Sequence, residues 1–216
     1  TNRPVEALYD YQKAIELNPE EISTKIYYAQ FLSERQPDKA MEILELIWQI
    51  DNYKSFSAML MNNILTERGE FQKCGEVMKE TIKVDPNNAY LWMSLGGCQF
   101  NTGNRNEAIT SMAKAVALMP EKGPYRGQLA RIMEKLGRLD EAETHFRKLI
   151  EIEPDNPVVH FWLAQFLTNH RPENLAEALK EAQIALDLPA KGRISKEPIE
   201  ELINKLQSQT GPEQPN

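Results

Sequence analysis

The sequence lacks the features of a membrane-spanning or nucleic-acid-binding chain. No apolar run approaches the ~20 residues that a membrane-spanning helix requires. Its 25 Lys and Arg residues are outnumbered by 32 Asp and Glu residues, which gives a net charge of -7, and no long basic run is present. We therefore expect no membrane span and no nucleic-acid partner. We expect the chain in the cytoplasm, or in the periplasm or elsewhere if a signal peptide has been removed.

Residues with obvious chemistry are scarce and scattered. The only histidines are His145, His160 and His170, and none stands three or four positions from another His or from Cys, as a metal pair on one helix would. Packing or helix-end roles explain them. Acidic pairs such as Glu20 with Glu21 occupy positions typical of solvated helix starts. We expect no catalytic residue, no metal and no cofactor within this segment.

The chain has only two cysteines, Cys74 and Cys98. We interpret both as small apolar residues in helix packing. A disulfide is the alternative, but the sequence does not give their separation.

A 34-residue period runs through the chain. One row of residues at this step is small: Ala40, Cys74, Ala108 and Ala142. A second row is large and apolar: Met61, Leu95, Leu129 and Leu163. A third row is Gly69, Gly103 and Gly137. A fixed period of this length indicates stacked helical units that bury their apolar faces only against their neighbours.

The order of residues within the period resembles the tetratricopeptide repeat. Between Asn88 and Pro120 the large, small and Pro positions of that family follow in order at Trp92, Leu95, Gly96, Gly103, Ala108, Ala115 and Pro120. The resemblance implies an all-α fold, a right-handed superhelical α-solenoid of stacked antiparallel helix pairs. It covers nearly everything up to residue 190, as about five full repeats, an N-terminal half-repeat and a C-terminal capping helix. The predicted repeats are 4–19 (the half-repeat), 21–54, 55–88, 89–122, 123–156 and 157–190.

Glycine and proline mark the turns within each unit. Gly69, Gly103 and Gly137 are predicted to end first helices in a left-handed conformation, and Pro86, Pro120 and Pro154 to stop second helices. The pattern is weaker in repeat 21–54, where Pro37 sits at the turn and Asn52 stands where Pro is usual.

Both ends of the chain differ from the repeats. Residues 191–208 are predicted to form a linker and a capping helix whose apolar stripe is Ile199, Leu202, Ile203 and Leu206. Residues 209–216 are predicted to be a flexible tail. Because the chain starts in the middle of a repeat and without Met, we expect that it is a piece of a longer protein.

The family resemblance also implies where a partner binds. In tetratricopeptide arrays the first helix of each pair lines a concave groove, so the outward positions of those helices are the candidate contacts. These candidate contacts are Tyr27, Gln30, Phe56, Met59, Leu60, Asn63, Tyr90, Met93, Ser94, Gly97, Asn101, Gln128, Arg131, Trp162 and Gln165, and Ile26, Phe100 and Phe161 lie on the same faces. Aromatic, Met and amide side chains suit a peptide or an amphipathic helix. The alternative is that Phe56, Tyr90 and Phe100 belong to the core.

Two details refine this expectation. Gly97 lies inside a helix, where Gly costs about 1 kcal/mol relative to Ala, so close approach of a partner or of a neighbouring helix would explain it. Family members that bind acidic chaperone tails clamp the terminal carboxylate with a Lys, Asn and Arg set. Here the comparable faces offer Gln30, Asn63 and Arg131, an incomplete clamp, so we do not expect that ligand class.

Three functional hypotheses follow. The first is a protein-interaction scaffold that binds a peptide or helix of a partner in the concave groove. The second is an accessory segment of a larger enzyme whose catalytic domain precedes residue 1. The third is self-association through the N-terminal half-repeat, where Val5, Leu8 and Tyr9 would otherwise face water.

Overall fold

The computed structural model describes residues 3–189 and 194–209, and every regular element within those ranges is helical. Of the predicted tail, 209–216, only Gln209 is described and it ends the last helix; residues 210–216, residue 190 and the linker residues 191–193 lie outside the described residues. The helices are α1 (Arg3–Leu17), α2 (Ile22–Ser33), α3 (Pro37–Trp48), α4 (Asp51–Glu67), α5 (Phe71–Ile82), α6 (Ala89–Asn101), α7 (Arg105–Leu118), α8 (Gly123–Lys135), α9 (Leu139–Ile152), α10 (Pro157–His170), α11 (Leu175–Asp187) and α12 (Glu197–Gln209). A short 3₁₀ turn, Pro172–Asn174, precedes α11.

The chain divides after Leu118 into two compact units. In the N-terminal unit, α2 packs on α3, α4 on α5 and α6 on α7, with α1 against α2. In the C-terminal unit, α8 packs on α9 and α10 on α11, and α12 lies against α11. Each unit is thus a stack of helix pairs, which confirms the predicted all-α repeat fold.

The two main rows of the 34-residue period form the packed seams. Ala40, Cys74, Ala108 and Ala142 are all 0% exposed. The large apolar row of Met61, Leu95, Leu129 and Leu163 is also buried. A side chain no larger than a methyl or thiol group lets one helix backbone approach another, and the large residues fill the space beside the contact.

The predicted turn glycines have the expected backbone. Gly69, Gly103 and Gly137 have φ values of 71°, 85° and 74°, a region that L side chains rarely adopt. Pro37 plays a different part from Pro86, Pro120 and Pro154, because it occupies the first turn of α3. A missing N–H costs nothing there, so proline begins that helix well.

One helix crosses a repeat boundary predicted from the sequence. Helix α4 begins at Asp51, within the proposed repeat 21–54, and continues into the next repeat. The reason is local: Asn52 stands where proline would stop the chain from being helical, so the first turn of α4 starts early. The other repeat boundaries stay predictions from the repeat pattern.

A hydrogen bond recurs at the junction between successive repeats. The Trp92 indole donates to the Pro86 carbonyl at 2.8 Å, and the Arg126 guanidinium donates to the Pro120 carbonyl at 3.0 Å.

At the next copy the His160 Nε2 lies 2.8 Å from the Pro154 carbonyl oxygen. The three side chains stand 34 residues apart, as do the three prolines. Each carries an N–H that can satisfy a carbonyl left without a partner where a helix ends.

Cys74 on α5 and Cys98 on α6 form a disulfide, with Cα atoms 6.1 Å apart. The interpretation of both as unpaired small residues is therefore wrong. The residues share the expected burial, at 0% and 1% exposed, but the fold places them face to face. The bond joins two neighbouring helix pairs of the N-terminal unit.

We expect the Cys74→Ala variant to be less stable than the oxidised protein by about 3 kcal/mol, because the cross-link restricts the unfolded chain. Denaturant unfolding without reductant measures this difference. Once the wild-type protein is reduced, its midpoint should fall to near that of the variant. Finding two free thiols per chain after denaturation without reductant would contradict the assignment.

Candidate functional site

The predicted contact residues lie mainly at the surface of the first helices. Eight are exposed: Tyr27, Gln30, Phe56, Asn63, Asn101, Gln128, Arg131 and Gln165. Six are partly exposed: Met59, Leu60, Tyr90, Ser94, Gly97 and Trp162. Phe56 is 43% exposed, which removes it from the core alternative, whereas Tyr90 is half-buried against the core of the N-terminal unit.

Three residues of the predicted face are buried instead. Met93 is 5% exposed, and Ile26 and Phe161 are 6% and 7% exposed. Their helices carry apolar residues on all sides, so the spacing alone does not separate an outward position from a packed one. We remove Met93 and Phe161 from the contact set because a partner would have to displace other side chains to reach them. Ile26 keeps only a small exposed area, in the lining of a groove between α2 and α4.

The first helices of the N-terminal unit enclose a groove between α2 and α4. Its volume is about 240 Å³, and it is lined by Ser23, Ile26, Tyr27, Tyr53 and Phe56. Tyr27 is 58% exposed. The lining contains no charged residue, so this groove suits an apolar or aromatic side chain of a partner.

Hydrogen bonds hold the Tyr90 side chain against α4. The Asn62 side-chain amide donates to the Tyr90 hydroxyl at 3.0 Å, and that hydroxyl lies 3.5 Å from the Asn63 Oδ1. Nearby, Met59 and Leu60 pack against the core of the unit. Tyr90 therefore has a fixed position, while Asn63 and Phe56 present freer side chains.

Gly97 faces open space. A Cβ atom added at Gly97 would meet nothing within 4 Å, whereas one at Gly96 would lie 2.5 Å from the Met112 Cγ and 2.9 Å from the Ala108 carbonyl oxygen. Close approach of a neighbouring helix thus explains Gly96 and does not explain Gly97. Within the described residues, the space over Gly97 is free for another molecule.

A second groove lies between α8 and α10 in the C-terminal unit. Its volume is about 370 Å³. The lining residues are Arg131, Glu134, Lys135, Phe146, Trp162, Gln165, Phe166, Asn169 and His170. Three of the four contacts predicted for this unit, Arg131, Trp162 and Gln165, meet here; Gln128 is exposed on α8 but outside the lining.

Two contacts position the central pair of this groove. A Cβ atom at Gly127 would lie only 2.7 Å from the Trp162 ring, so the absence of a side chain there lets the indole lie against α8. The Arg131 guanidinium carbon lies 5.7 Å from the centre of the Trp162 ring, within range of a cation–π interaction.

Ion pairs brace the helices behind this groove. The Arg147 Nη1 donates to the Glu177 Oε1 at 2.6 Å, and this hydrogen bond lowers the pKa of the Glu177 carboxyl. Burial alone would raise the pKa of the Glu143 carboxyl, but hydrogen bonds from Arg171 and Arg147 hold it below its ordinary value. The Arg171 guanidinium also lies 5.8 Å from the centre of the Phe166 ring, which lines the groove.

The three histidines all have structural neighbours. His160 is 4% exposed, and its Nδ1 lies 2.6 Å from the Glu181 Oε2. The His170 Nε2 lies 3.0 Å from the Glu134 Oε1. Burial, with the Arg126 cation close by, lowers the pKa of His145. No group of three side chains suited to metal binding occurs within the part of the chain that the structure describes.

Within the described ranges, no helix is both long and apolar enough to cross a bilayer.

The stacked helix pairs define a helical-repeat protein, and its two candidate grooves lie between first helices. Residues 103–165 match the family model for the tetratricopeptide repeat. With the repeat pattern and the fold, this match identifies that part of the chain as tetratricopeptide repeats.

The curated relatives are longer than this chain. It is 26% identical over 157 residues to the peroxisomal targeting signal receptor of Kluyveromyces lactis, which covers 72% of this chain and 26% of the receptor. The chain thus spans about a quarter of the length of that relative.

Solved structures share the fold at low sequence identity. The Pseudomonas aeruginosa protein pilF is 17% identical with a TM-score of 0.69, over 87% of this chain and 83% of pilF. YrrB, described as a tetratricopeptide-repeat protein with an unusual peptide-binding site, is 20% identical with a TM-score of 0.64, over 92% of this chain and 97% of YrrB. At such identities the similarity shows the fold alone.

The adjacent glycines of α6 provide a matched pair for testing the packing. We expect Gly96→Ala to destabilise the protein by about 1 to 3 kcal/mol, because its methyl group would overlap Met112 and the Ala108 backbone. Gly97→Ala should stabilise it by about 0.5 to 1 kcal/mol, because the methyl group enters open space and helix propensity rises. Unfolding free energies from denaturant titrations test both values. Equal destabilisation by the two substitutions would contradict this assignment.

Proposed function

We propose that this chain is a protein-interaction module that binds an extended peptide or an amphipathic helix of a partner along the exposed face of its first helices. The observation that carries the proposal is the pair of grooves. One lies between α2 and α4 and the other between α8 and α10, and both are lined by residues that the repeat pattern predicted to face a partner.

The composition of the grooves supports this function. Tyr27, Phe56 and Trp162 are large, partly exposed aromatic residues, and side chains of this kind dominate the binding energy of protein interfaces. Gln165 and Asn169 can hydrogen-bond the backbone of an extended segment. YrrB is described as having an unusual peptide-binding site, which is in keeping with this proposal, although its sequence differs from this chain at four positions in five.

A selection of random 12-residue peptides displayed on phage tests the proposal. Peptides enriched on the wild-type chain should lose binding to Phe56→Glu or to Trp162→Glu by at least about tenfold, because a buried unpaired carboxylate opposes the apolar contact. Fluorescence polarisation with synthetic copies of the enriched peptides measures the loss.

Leu46→Glu is the matched control for these substitutions. Leu46 is 75% exposed but lies on α3, a second helix, away from both grooves. This variant should bind the peptides as the wild type does, and all three variants should keep the wild-type circular dichroism spectrum. If Leu46→Glu abolished binding while both groove variants retained it, the binding surface would lie on the second helices and the proposal would fail.

A specific observation favours self-association as a second function. Val5 and Tyr9 are 58% and 60% exposed on α1, while Leu8 packs against the core. Two apolar side chains one turn apart on a terminal helix form a small surface that a second copy could cover. The hypothesis of an accessory segment of a larger enzyme concerns residues outside this chain, and the upstream reading frame tests it.

We expect the chain to form dimers or larger assemblies at high concentration through α1, and the double variant Val5→Ser/Tyr9→Ser to remain monomeric. Sedimentation velocity over a concentration series from micromolar to about millimolar measures this, since weak interfaces show only at the upper end. A wild-type chain that stays monomeric throughout that range would exclude self-association through this face.

A further inference from the structure

The groove between α8 and α10 differs from the rest of the molecule in its charge. The whole chain has a net charge of -7. The groove lining nevertheless contains two permanent cations, Arg131 and Lys135, and one carboxylate, Glu134. The cations of the lining thus outnumber its single carboxylate, although the protein as a whole is acidic.

The single carboxylate of the lining already has a partner. Glu134 Oε1 lies 3.0 Å from the His170 Nε2, across the groove from α8 to α10. Glu134 is therefore directed toward the His170 end of the groove and makes no ion pair with Arg131 within the described residues.

Arg131 has no anionic partner among the described residues. Its interaction there is with the face of the Trp162 ring. A cation–π contact with an aromatic ring leaves the guanidinium N–H groups free to donate hydrogen bonds. Arg131 is exposed, so those donors are accessible to another molecule.

We propose that this groove selects a partner segment carrying an acidic side chain beside an apolar one. The carboxylate would receive two hydrogen bonds from the Arg131 guanidinium, the geometry in which arginine binds carboxylates best. The adjacent apolar side chain would lie against the partly exposed Trp162 ring, because Phe146 and Phe166 in the same lining are each only 1% exposed.

This inference rests on the proposed function and adds the chemical class of the partner. It differs from a terminal-carboxylate clamp, because one arginine beside an indole can bind a carboxylate at any position of a segment. The groove of the N-terminal unit, with no charge in its lining, would not share this preference.

The test is three parallel selections of the same random 12-residue phage library, on the wild-type chain, on Arg131→Gln and on Arg105→Gln. Arg105 is an exposed arginine at the start of α7 and serves as the matched control. We expect Asp and Glu to be enriched next to a large apolar residue in the wild-type and Arg105→Gln pools and to lose that enrichment in the Arg131→Gln pool.

Synthetic peptides from the wild-type pool then show whether the carboxylate belongs to an acidic side chain or to the C-terminus of the peptide. Replacing the acidic residue by Asn or Gln should weaken binding to the wild type by at least about tenfold and leave binding to Arg131→Gln unchanged, in line with the usual contribution of a charge-assisted hydrogen bond. Amidating the C-terminus should have no such effect. A loss on amidation alone would assign the preference to a terminal carboxylate and overturn the inference.

The remaining outcomes separate this inference from the proposed function. If enriched peptides bind through Trp162 but show no acidic preference, or keep that preference on Arg131→Gln, the charge assignment fails and the binding function stands. If the wild-type pool shows no enrichment over a Phe56→Glu/Trp162→Glu pool, both fail.

Discussion

The close approach of helix backbones is the contact on which the whole structure depends. At Ala40, Cys74, Ala108 and Ala142 there is no side chain larger than a methyl or thiol group, and these positions are fully buried. Gly96 shows how tight the approach is, because even one added carbon would overlap a neighbouring side chain and a carbonyl oxygen. An isolated helix pair has nothing to cover its outer apolar face, so each pair is stable only beside the next. Stacking therefore buries the seams and leaves the exposed positions of the first helices free of packing constraints.

The repeat constrains geometry more strongly than chemistry. Trp92, Arg126 and His160 occupy the same position in three repeats and place an N–H near the carbonyl of Pro86, Pro120 or Pro154, although one is aromatic, one is permanently charged and one can titrate. The requirement is a donor at the right distance. The exposed face of the first helices is equally tolerant of different residues, because the stacking of helices does not determine which side chain stands there. This explains why the groove of one unit is uncharged and that of the other contains an arginine.

How well the sequence predicted the structure depends on whether a feature follows the period. The helix pairs, the buried rows and the left-handed glycines follow from the 34-residue step, and the structure confirms them. Met93 was misplaced because α6 has apolar residues around its whole circumference, so its outward face gives no periodic signal. The Cys74–Cys98 disulfide joins residues at unrelated positions of the repeat, and only the fold brings them together. The hydrogen bonds to the prolines could have been found, because their donors and acceptors both recur at the 34-residue step.

The size of the grooves limits how a partner is recognised. Volumes of about 240 and 370 Å³ lie at the lower end of the range for small-molecule pockets, so each groove accommodates one or two side chains. Few contacts of that size must offset the cost of ordering a flexible peptide, so a segment that fills a single groove binds weakly. Higher affinity requires the same partner to make further contacts beside the groove, because a second contact then forms within a complex that already exists.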